Sequence, residues 1–324
     1  MRWYITPREL RRHGIVGMNE RNAHLIARLN PRKKYPLVDD KLLTKELALK
    51  AGIAVPALYG FVETNHDVRH LPQIVAGHEE FVIKPAHGSG GKGILVITGR
   101  MGKRFRKASG LLENTEGLEH HVSNILSGMY SLGGQPDKAM IEYCVKFDPL
   151  FTNVSFLGVP DIRIVVYRGY PVMAMVRLPT RTSDGKANLH QGAVGAGIDI
   201  ATGLTGQGVW HSEIIDHHPD TGTAIAGITI PGWNRLLELA AGCYELTGLG
   251  YLGVDVVLDR DHGPLILELN ARPGLAIQIA NGVGLSPRIH RIDASESKKP
   301  MSPAERAAFA QALLDMQEDG QSPP

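Results

Sequence analysis

The most informative segment of the chain is GYLGVDVVLDRDHGPLILELNARPG, at positions 250–274. Two apolar runs are joined by the polar, glycine-containing segment Asp259–Gly263, which predicts two strands connected by a hairpin turn. Because strand side chains alternate between faces, Glu268 and Asn270 share one face, and the turn brings Asp255 opposite Glu268. Two carboxylates and an amide oxygen in so apolar a segment are typical of a site for a hard ion such as Mg²⁺. The alternative is a solvated hairpin face on which the acids are incidental.

The composition narrows the class of protein. A chain of 324 residues predicts two or three lobes, and a formal net charge of +2 gives no general attraction to nucleic acid or to a membrane surface. Cys144 and Cys243 lie far apart and outside any metal-binding spacing, which favours reduced thiols over a disulfide framework. The basic N-terminus lacks the apolar core of a signal peptide, and no apolar run is long enough to insert in a membrane. We therefore expect a cytoplasmic protein.

A glycine-rich loop, HGSGGKGI, occupies residues 87–94. It matches GxGxxG formally, but a strand-like ILVI follows where a dinucleotide-binding fold requires a helix, and Lys92 is followed by glycine where a Walker A motif has Ser or Thr. A glycine loop between two strands is the arrangement that covers triphosphates in protein kinases, because backbone N–H groups can approach phosphate oxygens there. The alternative is a simple hairpin turn.

Lys84 ends the apolar strand that leads into this loop. An ammonium group in such a strand is costly unless it meets an anion, so Lys84 is a candidate phosphate ligand. The alternative is an edge-strand lysine whose ammonium group reaches water.

Local signals predict several other elements. Residues 38–52 form a helix with an Asp cap and a Gly52 stop, residues 115–130 and 233–248 form two more helices, and residues 186–199 form a glycine-rich loop. HHPDTG at 217–222 has the composition of a solvated turn, and its sequential histidines lack the spacing of zinc ligands.

Taken in order, Lys41, FVIKPAHGSGGKGI, MIEYCV, DIRIVVYRG, ANLHQGA, GVDVVLD and LELNARPG resemble the motifs of the ATP-grasp superfamily, and most of all RimK-type and alpha-L-glutamate ligase-like proteins. The resemblance covers about residues 37–280. It implies an α+β fold of the ATP-grasp type, with two α+β lobes that hold ATP between them. Ligases of this superfamily usually carry a Rossmann-like N-terminal domain, and here the sequence departs from the pattern, so we expect a short N-terminal segment that is not Rossmann-like. The implied parts are an N-terminal segment (1–36), a nucleotide lobe with the glycine-rich flap (37–140), a C-terminal lobe with the metal site (141–293) and a polar tail (294–324).

The same resemblance implies roles for individual residues. It assigns ATP contacts to the phosphate-facing Lys41 and Lys84, the flap Gly88, Ser89, Gly90, Gly91, Lys92 and Gly93, the adenine hinge Glu142, Tyr143, Cys144 and Val145, the ribose-binding Asp161, and the loop residues Lys186 and Asn188. It assigns metal binding to Asp255, Glu268 and Asn270, and anion clamping during catalysis to Arg163, Arg177 and Arg272.

The implied activity is ATP-dependent ligation of a carboxylate to an amine through an acylphosphate, with glutamyl groups as one candidate and ATP and Mg²⁺ (or Mn²⁺) as cofactors. The substrates would be small molecules or peptides, with no nucleic acid partner, and a homo-oligomer is left open. An ATP-grasp kinase of small molecules, or a nucleotide-binding protein without turnover, are the alternatives. Because only about 36 residues precede the nucleotide lobe, substrate recognition is expected from GMNERN (17–22), residues 100–135 or IQIANGVGL (277–285).

The sequence also makes a prediction about stability. If Asp255 and Glu268 repel each other in an apolar setting, Asp255→Asn relieves that repulsion and raises the melting temperature of the apo protein slightly.

Overall fold

The computed structural model describes residues 5–88, 90–156, 158–295 and 300–315. The chain forms two compact units. The smaller unit consists of Asp39–Glu46 and Val55–Lys146, and the larger unit of the described parts of Met1–Val38, Leu47–Ala54 and Phe147–Pro324. The four-part division expected from the sequence stays a prediction.

The α-helices are α1 (Pro7–Arg12), α2 (Met18–Glu20), α3 (Ala27–Leu29), α4 (Pro36–Asp39), α5 (Lys41–Lys50), α6 (Leu71–Val75), α7 (Thr115–Leu126), α8 (Trp233–Thr247), α9 (Ala276–Asn281), α10 (Ser286–Ser295) and α11 (Pro303–Leu313), and a π-helical turn, Arg21–Ile26, joins α2 to α3. The strands are β1 (Leu58–Val62), β2 (Phe81–Pro85), β3 (Leu95–Met101), β4 (Arg104–Lys107), β5 (Leu112–Glu113), β6 (Ala139–Glu142), β7 (Asp161–Tyr167), β8 (Tyr170–Leu178), β9 (Val194–Ile198), β10 (Thr205–Trp210), β11 (Glu213–Ile215), β12 (Tyr251–Asp259) and β13 (Gly263–Asn270). Two antiparallel sheets with helices confirm the predicted α+β class.

The smaller unit is built on a sheet of order β1-β6-β2-β3-β4-β5. Its core forms where the apolar face of α7, with Leu118, Val122 and Ile125 at helical spacing, joins the buried side chains of the sheet. The Asn114 side chain caps α7 by accepting a hydrogen bond from the backbone N–H of Gly117. The helix ends four residues before the predicted boundary.

The larger unit is built on a sheet of order β11-β10-β9-β8-β7-β12-β13. Every residue of β12 is buried, and β7 and β8 are buried except at Arg163 and Arg177. Helix α8 packs near these strands and ends at Gly248, whose φ of 61° favours glycine, as predicted. Charged residues in these central strands are therefore exceptional, and they mark the region that chemistry could use.

Two expectations about local structure are wrong. The predicted loop at 186–199 contains the buried strand β9, which the sequence conceals because it is made largely of small residues. A Cβ at Gly197 would approach the backbone oxygen of Ala280 to 2.8 Å, so the strand needs glycine where α9 lies against it. The HHPDTG turn is not fully solvated, because His218 is only 1% exposed.

In the part of the chain that the structure describes, no helix combines the length and the apolar content needed to span a bilayer.

Candidate functional site

The acidic hairpin has the register that the sequence predicts. In the β12–β13 ladder Asp255 pairs with Glu268 and Gly253 pairs with Asn270. Directly opposed residues of an antiparallel pair lie on the same face, so Asp255, Glu268 and Asn270 converge there. The register shifts immediately after Asp255, and such irregularities often re-aim a side chain next to an active site.

Two arginines reach the same face from the neighbouring strands. Arg163 of β7 pairs with Asp255 through both carboxylate oxygens, its Nε donating to Oδ1 and its Nη2 to Oδ2, the latter at 2.6 Å. Arg177 of β8 holds both oxygens of Asp161 at 2.5 Å and also reaches Oδ2 of Asp255 at 2.9 Å. Two acids and two arginines thus form one charge-balanced cluster, which offsets the cost of burying each charge.

Burial raises and ion pairing lowers the pKa values of Asp255 and Asp161, and the larger of the two effects differs between these acids. Burial alone raises the pKa of Asp255, but the charges of Arg163 and Arg177 outweigh it and hold that pKa below its usual value. Burial dominates at Asp161 and raises its pKa to about 6, although Arg177 opposes the shift. Asp255 is therefore the carboxylate that stays ionised, as a cation ligand must.

The donor set fits a hard divalent ion. Asp255, Glu268 and Asn270 offer only oxygen ligands, and Mg²⁺ is usually held by one or two carboxylates together with water and phosphate oxygens. Among the described residues no cluster of three His, Cys, Asp or Glu side chains could hold a metal by itself. Binding of a cation at this hairpin would therefore require the Asn270 amide oxygen, and also oxygen atoms from water or a phosphate ligand.

In the smaller unit, Lys84 meets the anion that its apolar strand requires. Its ammonium group pairs with Oε1 of Glu142, and Lys45 lies 2.7 Å from Oε2 of the same carboxylate. Burial raises the pKa of Glu142, but the two lysines outweigh burial and lower it, while burial lowers the pKa of Lys45. Sequence reasoning missed Lys45, although it lies four residues after Lys41 on α5 and so shares its face.

The start of the glycine-rich loop is fixed by a second set of polar contacts. Lys41 donates from Nζ to the backbone oxygen of Gly88 at 2.6 Å. The buried carboxylate of Asp137 accepts the backbone N–H of His87 at 3.0 Å and contacts its Nδ1 at 2.8 Å. On the other side, Nε2 of His87 lies 3.5 Å from Asp40, whose carboxylate caps α5 by accepting from the backbone N–H of Leu42. Sequence reasoning missed His87 and Asp137, which lie 50 residues apart.

The glycines of this loop are required by its backbone. Gly90, Gly91 and Gly93 have φ values of 63°, 73° and 76°, a region that other residues rarely adopt. A Cβ at Gly93 would come within 2.6 Å of the Tyr130 ring. Lys92 is exposed, and Ser89 lies outside the described residues.

The remaining predicted residues are held by local contacts. The backbone N–H of Tyr143 donates to the oxygen of Ala57 at 2.8 Å, and Cys144 and Val145 follow as half-buried residues. Asn188 accepts the backbone N–H of His190 at 3.0 Å, and Lys186 lies 4.0 Å from Asp184 at an exposed position.

Three further contacts involve Arg272, which follows the hairpin, and His218 in the HHPDTG turn. The Arg272 guanidinium lies 5.2 Å from the centroid of the Tyr35 ring. His218 contacts the backbone oxygen of Pro179 through Nε2 at 3.0 Å, and its Nδ1 accepts from the backbone N–H of Asp220. This histidine therefore links the HHPDTG turn to the residue that follows β8.

Comparison with known proteins gives three findings. Residues 20–294 match the family described as sugar-transfer associated ATP-grasp, in agreement with the predicted superfamily. A probable alpha-L-glutamate ligase of Maridesulfovibrio salexigens is 26% identical over 73% of this chain and 56% of its own length, and one of Pseudomonas entomophila is 25% identical over 75% and 59%. A D-alanine–D-alanine ligase from Bacillus anthracis aligns with 88% of this chain and 71% of its own, at 14% identity and a TM-score of 0.44. The chain spans a little over half the length of the two curated relatives.

Proposed function

The chain belongs to the sugar-transfer associated ATP-grasp family, and from that premise we propose that it is an ATP-dependent carboxylate–amine ligase that uses Mg²⁺ or Mn²⁺. The observation that supports the proposal is that Asp255, Glu268 and Asn270 share one face of the β12–β13 hairpin. The guanidinium groups of Arg163 and Arg177 pair with Asp255 on that face. Carboxylates that can attract a metal–phosphate complex stand there beside cations that can stabilise a transferring phosphoryl group.

Each group has a part in the proposed reaction. Lys41 and Lys84 bind phosphate oxygens of ATP, and the backbone N–H groups of the glycine-rich loop cover them. Asp255, Glu268 and Asn270 hold the divalent ion, which supplies charge neutralisation to the phosphates when bound. The γ-phosphoryl group moves from ATP to a substrate carboxylate, and ADP leaves. An amine then attacks the acylphosphate carbonyl, the C–O bond to phosphate breaks, and the nitrogen gives up a proton to solvent as the amide forms.

The arginines act as fixed electrostatic groups in this scheme. Arg163 and Arg177 are oriented in advance by their acidic partners, so little reorganisation is needed when negative charge develops on the phosphoryl oxygens. No covalent enzyme intermediate is required, because positioning and charge stabilisation account for most of the catalysis of phosphoryl transfer.

The test is phosphate release from ATP with a panel of acids and amines, including glutamate and acidic peptides, followed by mass spectrometry of the products. Amine-dependent phosphate release with a new amide supports ligation. Accumulation of a phosphorylated acid without need of an amine identifies a kinase and overturns the proposal.

The matched variants are Glu268→Gln and Asp261→Asn. Glu268→Gln removes a charge from the shared face and is expected to lower turnover by orders of magnitude, with partial recovery at high Mg²⁺. Asp261→Asn removes a charge from the exposed turn of the same hairpin, where its partner is Arg260, and should leave turnover unchanged. Equal turnover in both variants would reject the site.

A further inference from the structure

The N-terminal segment of the larger unit is hydrogen-bonded to the start of β12 and to residues that follow β13. The Asn30 side chain donates to the backbone oxygens of Tyr251 and Ala271, at 2.6 and 2.7 Å, and accepts the Tyr251 N–H at 3.0 Å. The Gln278 side chain exchanges two hydrogen bonds with the backbone of Val16, at 2.9 and 3.0 Å. Buried side chains that satisfy backbone groups in this way fix the segment beside the candidate metal hairpin.

Arg21, in the π-helical turn, is anchored at the same place. Its Nη1 donates to the backbone oxygen of Pro273 at 3.2 Å. A Cβ at Gly253 would come within 2.8 Å of Cβ of Pro273, and Gly253 is the residue paired with Asn270. Arg21 is therefore attached directly next to the shared face of Asp255, Glu268 and Asn270.

The guanidinium of Arg21 has an edge that is suited to a carboxylate. Its Nε and Nη2 both donate to the single Oδ1 of Asn22, at 3.1 and 2.9 Å. These two nitrogens form the fork that grips a carboxylate with two parallel hydrogen bonds. Within the described residues Arg21 has no carboxylate partner, and Asn22, an exposed neighbour, offers only a neutral oxygen.

The second polar group to consider is the hydroxyl of Tyr251, at the start of β12. Tyr251 lies on the face of Gly253 and Asp255, two and four residues along β12, and is fully buried. Its hydroxyl has no hydrogen-bond partner among the described residues, which is costly for a buried polar group. Burial raises the pKa of Tyr251 to about 12, and the positive charges of Arg21 and Arg163 oppose that shift.

We propose that Arg21 binds a carboxylate of the substrate, which displaces Asn22 from the Nε–Nη2 edge and is held next to Asp255, Glu268 and Asn270. The inference rests on the proposed ligase function and adds to it the substrate class, an acid that presents a carboxylate to the N-terminal segment. Arg163 and Arg177 are already paired with Asp255 and Asp161, so among these three arginines Arg21 is the one whose charge is unmatched.

The experiment compares Arg21→Gln with Arg28→Gln, which removes the same charge from an exposed position of the same segment. With the acid that supports turnover in the panel above, Arg21→Gln should raise KM for the acid about tenfold or more, as expected for loss of a charged hydrogen-bond pair. KM for ATP should stay unchanged, and Arg28→Gln should leave both constants unchanged. An increase in KM for ATP, with that for the acid unaffected, would identify Arg21 as a phosphate ligand and overturn the proposal.

Asn22→Ala tests the displacement directly. Removing the neutral oxygen frees the edge of Arg21, so KM for the acid should fall, and a rise would contradict the proposal.

Failure of the ligase function can be told apart from failure of this inference. If no acid in the panel supports turnover, the probe is sodium acetate, compared with sodium chloride at equal ionic strength by thermal melting. A higher melting temperature in acetate for the wild type, which disappears in Arg21→Gln and persists in Arg28→Gln, supports the carboxylate site. No acetate-specific shift in the wild type, or the same shift in Arg21→Gln, overturns it.

Discussion

Asp255→Asn should lower the melting temperature of the protein in the absence of nucleotide and metal. The substitution keeps the shape of the side chain but removes the charge that faces Arg163 and Arg177. Its amide nitrogen would then confront guanidinium N–H groups, so donors would face donors. The expectation from sequence alone, that relief of repulsion between two acids raises the melting temperature, takes no account of these arginines and has the opposite sign.

The size of the effect follows from the burial of the cluster. The Asp255 side chain is 6% exposed, and those of Arg163 and Arg177 are 11% and 13% exposed. Removing one partner from a buried ion pair typically costs about 3–5 kcal/mol, and the lower end applies here because the amide oxygen can still accept one hydrogen bond. For a unit of roughly 150–250 residues this corresponds to a decrease of about 6–12 °C in melting temperature.

Differential scanning calorimetry with a chelator present measures this decrease. The control is Asp261→Asn on the same hairpin, where the aspartate side chain is 43% exposed and its pairing with Arg260 should contribute at most about 1 kcal/mol. In the double variant Asp255→Asn/Arg163→Gln the loss should be smaller than the sum of the two single losses, because the two side chains are in contact. An Asp255→Asn protein that melts at or above the wild-type temperature would refute the reasoning.

Three further predictions concern other buried polar groups. Glu142→Gln leaves the ammonium groups of Lys45 and Lys84 without their shared anion, so urea unfolding should show a loss of about 3 kcal/mol or more; an unchanged midpoint would contradict the pairing. Asp161 has a folded-state pKa of about 6, above its unfolded value of about 3.9, so its contribution to stability falls as pH rises between those values. Asp161→Asn should abolish that part of the pH dependence, which urea unfolding at pH 4 and pH 7 measures as a difference in the free energy of unfolding. The same difference in the variant and the wild type would show that the assignment is wrong. Asn30→Ala should destabilise the protein by about 2–4 kcal/mol because it leaves buried backbone groups unpaired, and amide exchange at Tyr251 should accelerate; slow exchange in the variant would argue against this role.

The amino-acid sequence determined the elements that depend on local interactions. The two apolar runs on either side of the polar turn Asp259–Gly263 predicted the hairpin and the register of Asp255 with Glu268, because both strands belong to one continuous segment. The capping aspartate of α5 and the Gly248 stop of α8 could likewise be predicted, since each acts within a few residues of its own helix. The family resemblance gave the superfamily in the same way, through short ordered motifs.

Which charged side chains meet depends on contacts between residues that are far apart in the sequence. Arg163 and Asp255 lie 92 residues apart, and Arg21 and Pro273 lie 252 residues apart, so no spacing rule connects them. These contacts depend on the register of β7 against β12 and on the hydrogen bonds that hold the N-terminal segment at the end of β13. The sequence therefore identified the acids. Whether they repel each other or are neutralised by arginines depends on the assembly of the sheet, because the energy of a buried charge depends on its nearest partners.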